Sequence, residues 1–323
     1  MRQLFLILVC LSATFAINYT PPVGPITQDF QEWLLKSKYA IYDFARLEFG
    51  AIGSYGGKNS SAERISKTPV IFIHGNSDGA LSNGQKYGTG WSSSIAYFLL
   101  NGYKTSELYA TTWGDRNAQN SYKRTHNCGY LTYVRKFIEA VLDYTGSPKI
   151  NIISHSMGVT LVRPVIKGLT VTDEEGQTCS LGDPINHRIT TFIGISGGNY
   201  GLCICVAENM APFPTCNEKT GFWPGSASVG ADMCSSLEVH NANVSNYSSI
   251  LKQANDANIK EAQHTYAMWS KKDEILLNNV VYGRHTSEYP MLDDKAIYLT
   301  WTHEQTKDIS VAQQLEWIQV NSR

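Results

Sequence analysis

Three residues far apart in this chain could together perform one reaction. Ser156 stands in Ile-Asn-Ile-Ile-Ser-His-Ser-Met-Gly, Asp273 in Ser-Lys-Lys-Asp-Glu-Ile-Leu-Leu-Asn, and His303 in Thr-His-Glu-Gln-Thr-Lys-Asp. A serine hydroxyl is a weak nucleophile at neutral pH. It becomes competent when a histidine takes its proton and a carboxylate orients that histidine, and the set then attacks carbonyl carbon. The serine has the right local setting. An apolar strand from Ile150 to Ile153 runs through Ser-x-Ser-x-Gly into a segment of helical periodicity, as at a tight strand-to-helix elbow. Such a turn needs small residues two before and two after the nucleophile. Gly158 meets that need, whereas position 154 is Ser154 rather than glycine. A serine that merely caps a helix after a buried strand leaves the same local pattern. The assignment therefore depends on the partners.

Those partners must be delivered by the surrounding elements. Six short apolar runs are expected as strands: Pro69–Ile73, Leu108–Trp113, Ile150–Ser154, Ile189–Ser196, His264–Ser270 and Ala296–Trp301. Trp91–Asn101, Tyr130–Tyr144, Met157–Leu169 and Ser310–Val320 carry apolar residues at helical steps, with Pro164 expected to kink the third or raise a local irregularity in it. Strands alternating with helices predict an α/β fold, a mostly parallel central sheet of about six strands with helices on both faces. In that frame Asp273 follows the fifth strand and His303 the sixth, each on a loop at a strand end. The order Ser, Asp, His is the one an elbow-type hydrolase requires.

Rival residues are less well placed. Glu274 is expected to point elsewhere from the same turn, and Asp293 and Asp294 to precede the last strand. His285 is the runner-up base, and His155 is expected to project away from the elbow. His126, His187, His240 and His264 read as surface or structural residues. The oxyanion of an acyl transfer needs backbone donors. The N–H of Met157, after the nucleophile, is one; the N–H of Asn76, in His-Gly-Asn after the first strand, is the other. Gly75 is expected to permit the turn that aims Asn76, and His74 to stabilise the loop.

Composition sets the boundaries. The 323 residues are 42% hydrophobic and 17% charged, with a net charge of -1, which gives no electrostatic case for nucleic acid or an anionic membrane surface. Residues 1–16 carry Arg2, an apolar run and Ala-Thr-Phe-Ala, and read as a signal peptide cleaved after Ala16. No later segment is apolar enough to span a bilayer, so a secreted, extracellular protein is expected. Removing Cys10 leaves Cys128, Cys179, Cys203, Cys205, Cys216 and Cys234, which suit three disulfides of open connectivity. Sequons at Asn18, Asn59, Asn243 and Asn246 suggest glycosylation. Residues 17–323 are expected to form a single domain. It carries an aromatic N-terminal extension (17–67) that packs on the core and a Cys-rich insertion (197–246). The insertion is either a stapled surface excursion or a lid and substrate-contact region.

His-Gly-Asn, the Ser-His-Ser-Met-Gly elbow, the Asp273 segment and the Thr-His-Glu-Gln-Thr-Lys-Asp segment, taken in order, resemble the class 2 lipase family. The resemblance runs from about Thr68 to the C-terminus. It implies an α/β-hydrolase core acting on acylglycerols or other carboxylic esters, without metal or organic cofactor. Ser156 would be its nucleophile, Asp273 the acid, His303 the base, and Asn76 and Met157 the oxyanion donors. The Cys-rich insertion departs from the small bacterial members, and Ser154 departs from the usual glycine with a small residue that is compatible with the family. Other readings are an esterase of soluble esters, an acyltransferase with the same triad, and a catalytically silent lipid-binding protein. Oligomeric state is left open.

Overall fold

The computed structural model describes residues 20–226, 233–238, 244 and 246–322. The expected leader 1–16, the sequons at Asn18 and Asn243, and His240 lie outside the described residues. The centre is a seven-stranded sheet. Its strands are β1 (Ser54–Tyr55), β2 (Val70–Ile73), β3 (Leu108–Thr111), β4 (Ile150–His155), β5 (Ile189–Ile195), β6 (His264–Ser270) and β7 (Asp294–Tyr298). They lie in the order β1-β3-β2-β4-β5-β6-β7, all parallel except β1, which runs antiparallel to β3. All six expected strands are present. The last begins at Asp294, not Ala296, so Asp294 is part of the strand and does not precede it. The seventh, β1, has two residues, too few for a periodic pattern to register.

Every residue of β2, β4 and β5 is buried, as befits parallel strands covered on both faces. Alternate side chains feed two cores. Ile71, Ile152, Phe192 and Trp269 face one, filled by α3 (Cys128–Thr145), α4 (Met157–Lys167), α1 (Gln28–Leu35) and α5 (Ser249–Asp256). Phe72, Ile153, Ile193 and Met268 face the other, filled by α2 (Ser92–Leu100) and α7 (Val311–Val320). The architecture is an α/β-hydrolase fold. From the N-terminal region, Phe30, Tyr39 and Phe44 are sealed into the first core. There Phe30 stacks on Tyr144 at 4.2 Å between centroids.

α4 runs unbroken through Pro164. Pro164 does not end the helix, which closes beyond it through Gly168 in the left-handed region and the Leu169 N–H to Pro164 carbonyl bond. The three disulfides are Cys128–Cys179, Cys203–Cys234 and Cys205–Cys216. The last two staple the insertion, and no helix among the described residues is long and apolar enough to cross a membrane.

Candidate active site

The elbow forms where β4 passes into α4. Ser156 holds φ 53° and ψ -127°, a region that side-chain-bearing residues enter only under constraint, at a cost of about 1–3 kcal/mol. The surroundings impose it: the Ser156 N–H donates to the Ile195 carbonyl at 2.8 Å, and α4 packs hard onto β2. A Cβ on Gly158 would come within 2.5 Å of the carbonyl oxygens of Ile73 and His74. Ser154 pairs in register with Gly194 of β5, and its Oγ donates to the Ile193 carbonyl at 3.4 Å.

Asp273 follows β6 and is held rigidly. Its Oδ1 accepts the N–H groups of Ile275 and Leu276, at 3.0 and 2.8 Å. His303 Nδ1 lies 2.8 Å from Asp273 Oδ2 and 3.0 Å from Oδ1. A carboxylate can only accept, so neutral His303 carries its proton on Nδ1 and presents the lone pair of Nε2. His303 does not sit on a loop as expected. It opens α6 (His303–Ile309), whose N-cap Thr302 forms a reciprocal capping box with Gln305. Glu274 does not point elsewhere either: its Oε2 accepts the His303 N–H at 2.9 Å, fixing the main chain of the helix that carries His303. Ser156 and His303 line one cavity, although among the described residues no hydrogen bond joins Ser156 Oγ to His303. Such bonds often tighten only when substrate binds.

Burial and charge separate His303 from its rivals. Desolvation pushes His74 down to about 3 and His126 down to about 4, and holds His155 well below the usual range, so all three stay neutral. Burial alone would lower His303 too, but the charge and hydrogen bond of Asp273, with Glu304 and Glu274, raise it above its ordinary value. For Asp273, burial works toward a raised value, and the His303 charge and hydrogen bond outweigh it and hold the carboxyl low. The two groups thus stabilise each other's charged forms. His285 lies in a short hairpin against Trp269, with ring centroids 5.3 Å apart, and does not line the cavity. Contrary to expectation, His155 does not project away. It is buried beside His303, rings 4.6 Å apart, and its Nε2 donates to the His303 carbonyl at 3.3 Å.

The loop after β2 lies across the elbow. Gly75 is not in the left-handed region; the glycine is needed because a Cβ there would meet Ser156 Cβ at 2.7 Å. The side chain of Asn76 is committed elsewhere, Nδ2 donating to the Ser121 carbonyl at 2.9 Å and Oδ1 accepting from Arg124 at 2.7 Å. Its backbone N–H has no acceptor among the described residues. Nor does that of Met157, which opens α4 with the unpaired donors of a helix N-terminus. His74 has the stabilising part expected of it: Nε2 accepts the Trp113 N–H at 3.0 Å, and its ring stacks on Trp113.

One feature of the site left no sequence signal. Lys307, wholly buried one turn beyond His303, donates to Thr89 Oγ1 at 2.7 Å and to the Gly90 carbonyl. It pairs with Asp308, Glu304 and Asp78 at 2.9, 3.4 and 3.7 Å. Burial alone would lower the lysine, but these carboxylates raise it. Asp78 belongs to the same loop as Asn76, so this cluster ties that loop to the helix that begins at His303. Lys307→Met strands buried carboxylates and is expected to cost about 3–5 kcal/mol, read as a lowered urea midpoint.

A family model described as lipase (class 2) matches residues 67–316. The chain belongs to the class 2 lipase family. It is accordingly a carboxylic ester hydrolase. Solved structures resemble this class 2 lipase distantly. A monoacylglycerol lipase from Paleococcus ferrophilus is 15% identical with a TM-score of 0.43, over 84% of this chain and 98% of that one. Lipase B from Aspergillus fumigatus is 12% identical with a TM-score of 0.49, over 84% and 56%. The lipase BlEst2 from Bacillus licheniformis is 11% identical with a TM-score of 0.48, over 82% and 97%.

Proposed function

We propose that the enzyme is a secreted serine lipase that cleaves acylglycerols through Ser156, His303 and Asp273. The observation that carries this reading is His303, hydrogen-bonded to Asp273 at 2.8 Å and opening onto the same cavity as Ser156. Ser156 Oγ attacks the ester carbonyl while His303 Nε2 takes its proton, and Asp273 stabilises the imidazolium. The N–H groups of Met157 and Asn76 hold the oxyanion, an arrangement in which one donor is worth roughly 10²–10³ in rate. His303 then protonates the departing alcohol, and water releases the acyl group by the same route. Much of the cavity wall is apolar, including Leu202, Met210 and Ile275, which suits an acyl chain rather than a charged ligand.

The three disulfides favour an oxidising compartment and so accord with a leader at 1–16. Asn59 and Asn246 are exposed, as glycan acceptors must be. We further assign residues 17–323 to one hydrolase domain, with 17–67 as an extension and 197–246 as an insertion.

Turnover of emulsified long-chain triacylglycerol against soluble short-chain esters, each with and without an acceptor alcohol, tests the reading. The lipase account predicts free fatty acid from the emulsion. Turnover of soluble esters alone would make the protein an esterase, transfer to the alcohol in preference to water an acyltransferase, and no turnover a lipid binder.

A further inference from the structure

The insertion supplies one side of the cavity that holds Ser156. Leu202, Ile204, Met210 and Thr215 line it from the insertion, facing Tyr87 and Ile275. The cavity encloses about 300 Å³. That is the small end of the range for ligand sites, enough for one acyl chain and not for the body of a triacylglycerol.

This side of the cavity is built as a fixed structure. Cys205 and Cys216 are buried and bonded, closing the loop whose tip carries Met210 and Phe213, and Cys203 is bonded to buried Cys234. The loop is laced from within: the Leu202 N–H donates to the Phe222 carbonyl at 2.9 Å, and the Phe222 N–H to the Thr215 carbonyl at 2.7 Å. At its far end Phe213 rests on Tyr122 of the opposing loop, ring centroids 4.7 Å apart. Between the two buried cysteines, Ile204 is 42% exposed. Its solvent-open apolar side chain lines the cavity that holds Ser156, on a stapled backbone, where an apolar ligand would cover it.

We infer that the Cys203–Cys216 loop is a rigid wall of the acyl-chain site, and that Ile204 and Met210 set the length of chain accepted. The inference rests on the ester-hydrolase reading above and adds two things: which residues discriminate, and that this wall does not swing open. A pocket wall discriminates by the room it leaves for methylenes, each worth roughly tenfold or more in specificity.

The test compares kcat/KM for p-nitrophenyl decanoate and butanoate. Ile204→Trp and, separately, Met210→Trp should lower the decanoate-to-butanoate ratio by about tenfold, and Met210→Ala should raise it. Using two bulky variants keeps the test sound if one fails to fold. Ratios within twofold of wild type in all folded variants would overturn the assignment of the wall. Tributyrin hydrolysis followed across its solubility limit should rise smoothly. A sharp jump in rate at the onset of emulsion would show a wall that opens and would overturn its rigidity. Failure of the wild-type protein to hydrolyse any ester, or full activity of Ser156→Ala, would instead overturn the catalytic reading on which the inference stands.

Discussion

Ser156→Ala is expected to remove ester hydrolysis by about 10⁶-fold, the loss typical when a triad nucleophile is deleted, with far-UV circular dichroism unchanged. The reason is local. The Ser156 side chain is partly exposed at the elbow, so its Oγ can leave without opening a cavity, and the elbow is held by Gly158 and the Ile195 carbonyl rather than by that oxygen. The chemistry therefore disappears while the packing stays. Turnover within tenfold of wild type on p-nitrophenyl butanoate would place the nucleophile elsewhere.

Asp273→Asn should cost on the order of 10⁴ in kcat, because an amide can donate to Nδ1 and so favour the tautomer with the proton on Nε2. His303→Ala should be as severe, and His285→Ala mild. The pH profile adds a sign. Protonated His303 cannot act as a base, so activity falls on the acid side as pH drops through its pKa. Asp273, Glu304 and Glu274 raise that value against burial, which puts the acid limb of wild-type kcat/KM above the ordinary histidine value of about 6.5. Removing the Asp273 charge leaves burial less opposed, so the limb of the residual activity should move to lower pH. A limb that stays in place would mean that another group titrates.

The fold, and with it the positions of Asp273 and His303, was legible because the strands leave local apolar patterns in the sequence. Six apolar runs became six strands, and Asp273 and His303 fall beyond the C-terminal ends of β6 and β7, as their order along the chain required. What escaped has no periodic signature. β1 is two residues long, and α6 begins at His303 through a capping box whose helix is too short for an amphipathic stripe. The reason for Gly75 lies in a through-space approach to Ser156 rather than in its own dihedrals. His155 and Lys307 are polar residues in the interior, made tolerable by partners up to 229 residues distant along the chain (307 − 78, the pair Lys307–Asp78). No window of sequence contains both ends of such a contact. Ser154 looked like a crowded elbow when read along its own strand. In the fold it is buried, paired in register with Gly194 one strand away, and its hydroxyl is taken up by the Ile193 carbonyl.

The central claim is that Ser156 is a nucleophile activated by His303. It is tested most directly by incubating the protein with a fluorophosphonate ester and locating the adduct by peptide mass spectrometry. Stoichiometric modification of Ser156 in wild type, with labelling slowed at least about 10³-fold in His303→Ala, is the predicted result. An unlabelled Ser156, or a label that forms equally fast without His303, would contradict it.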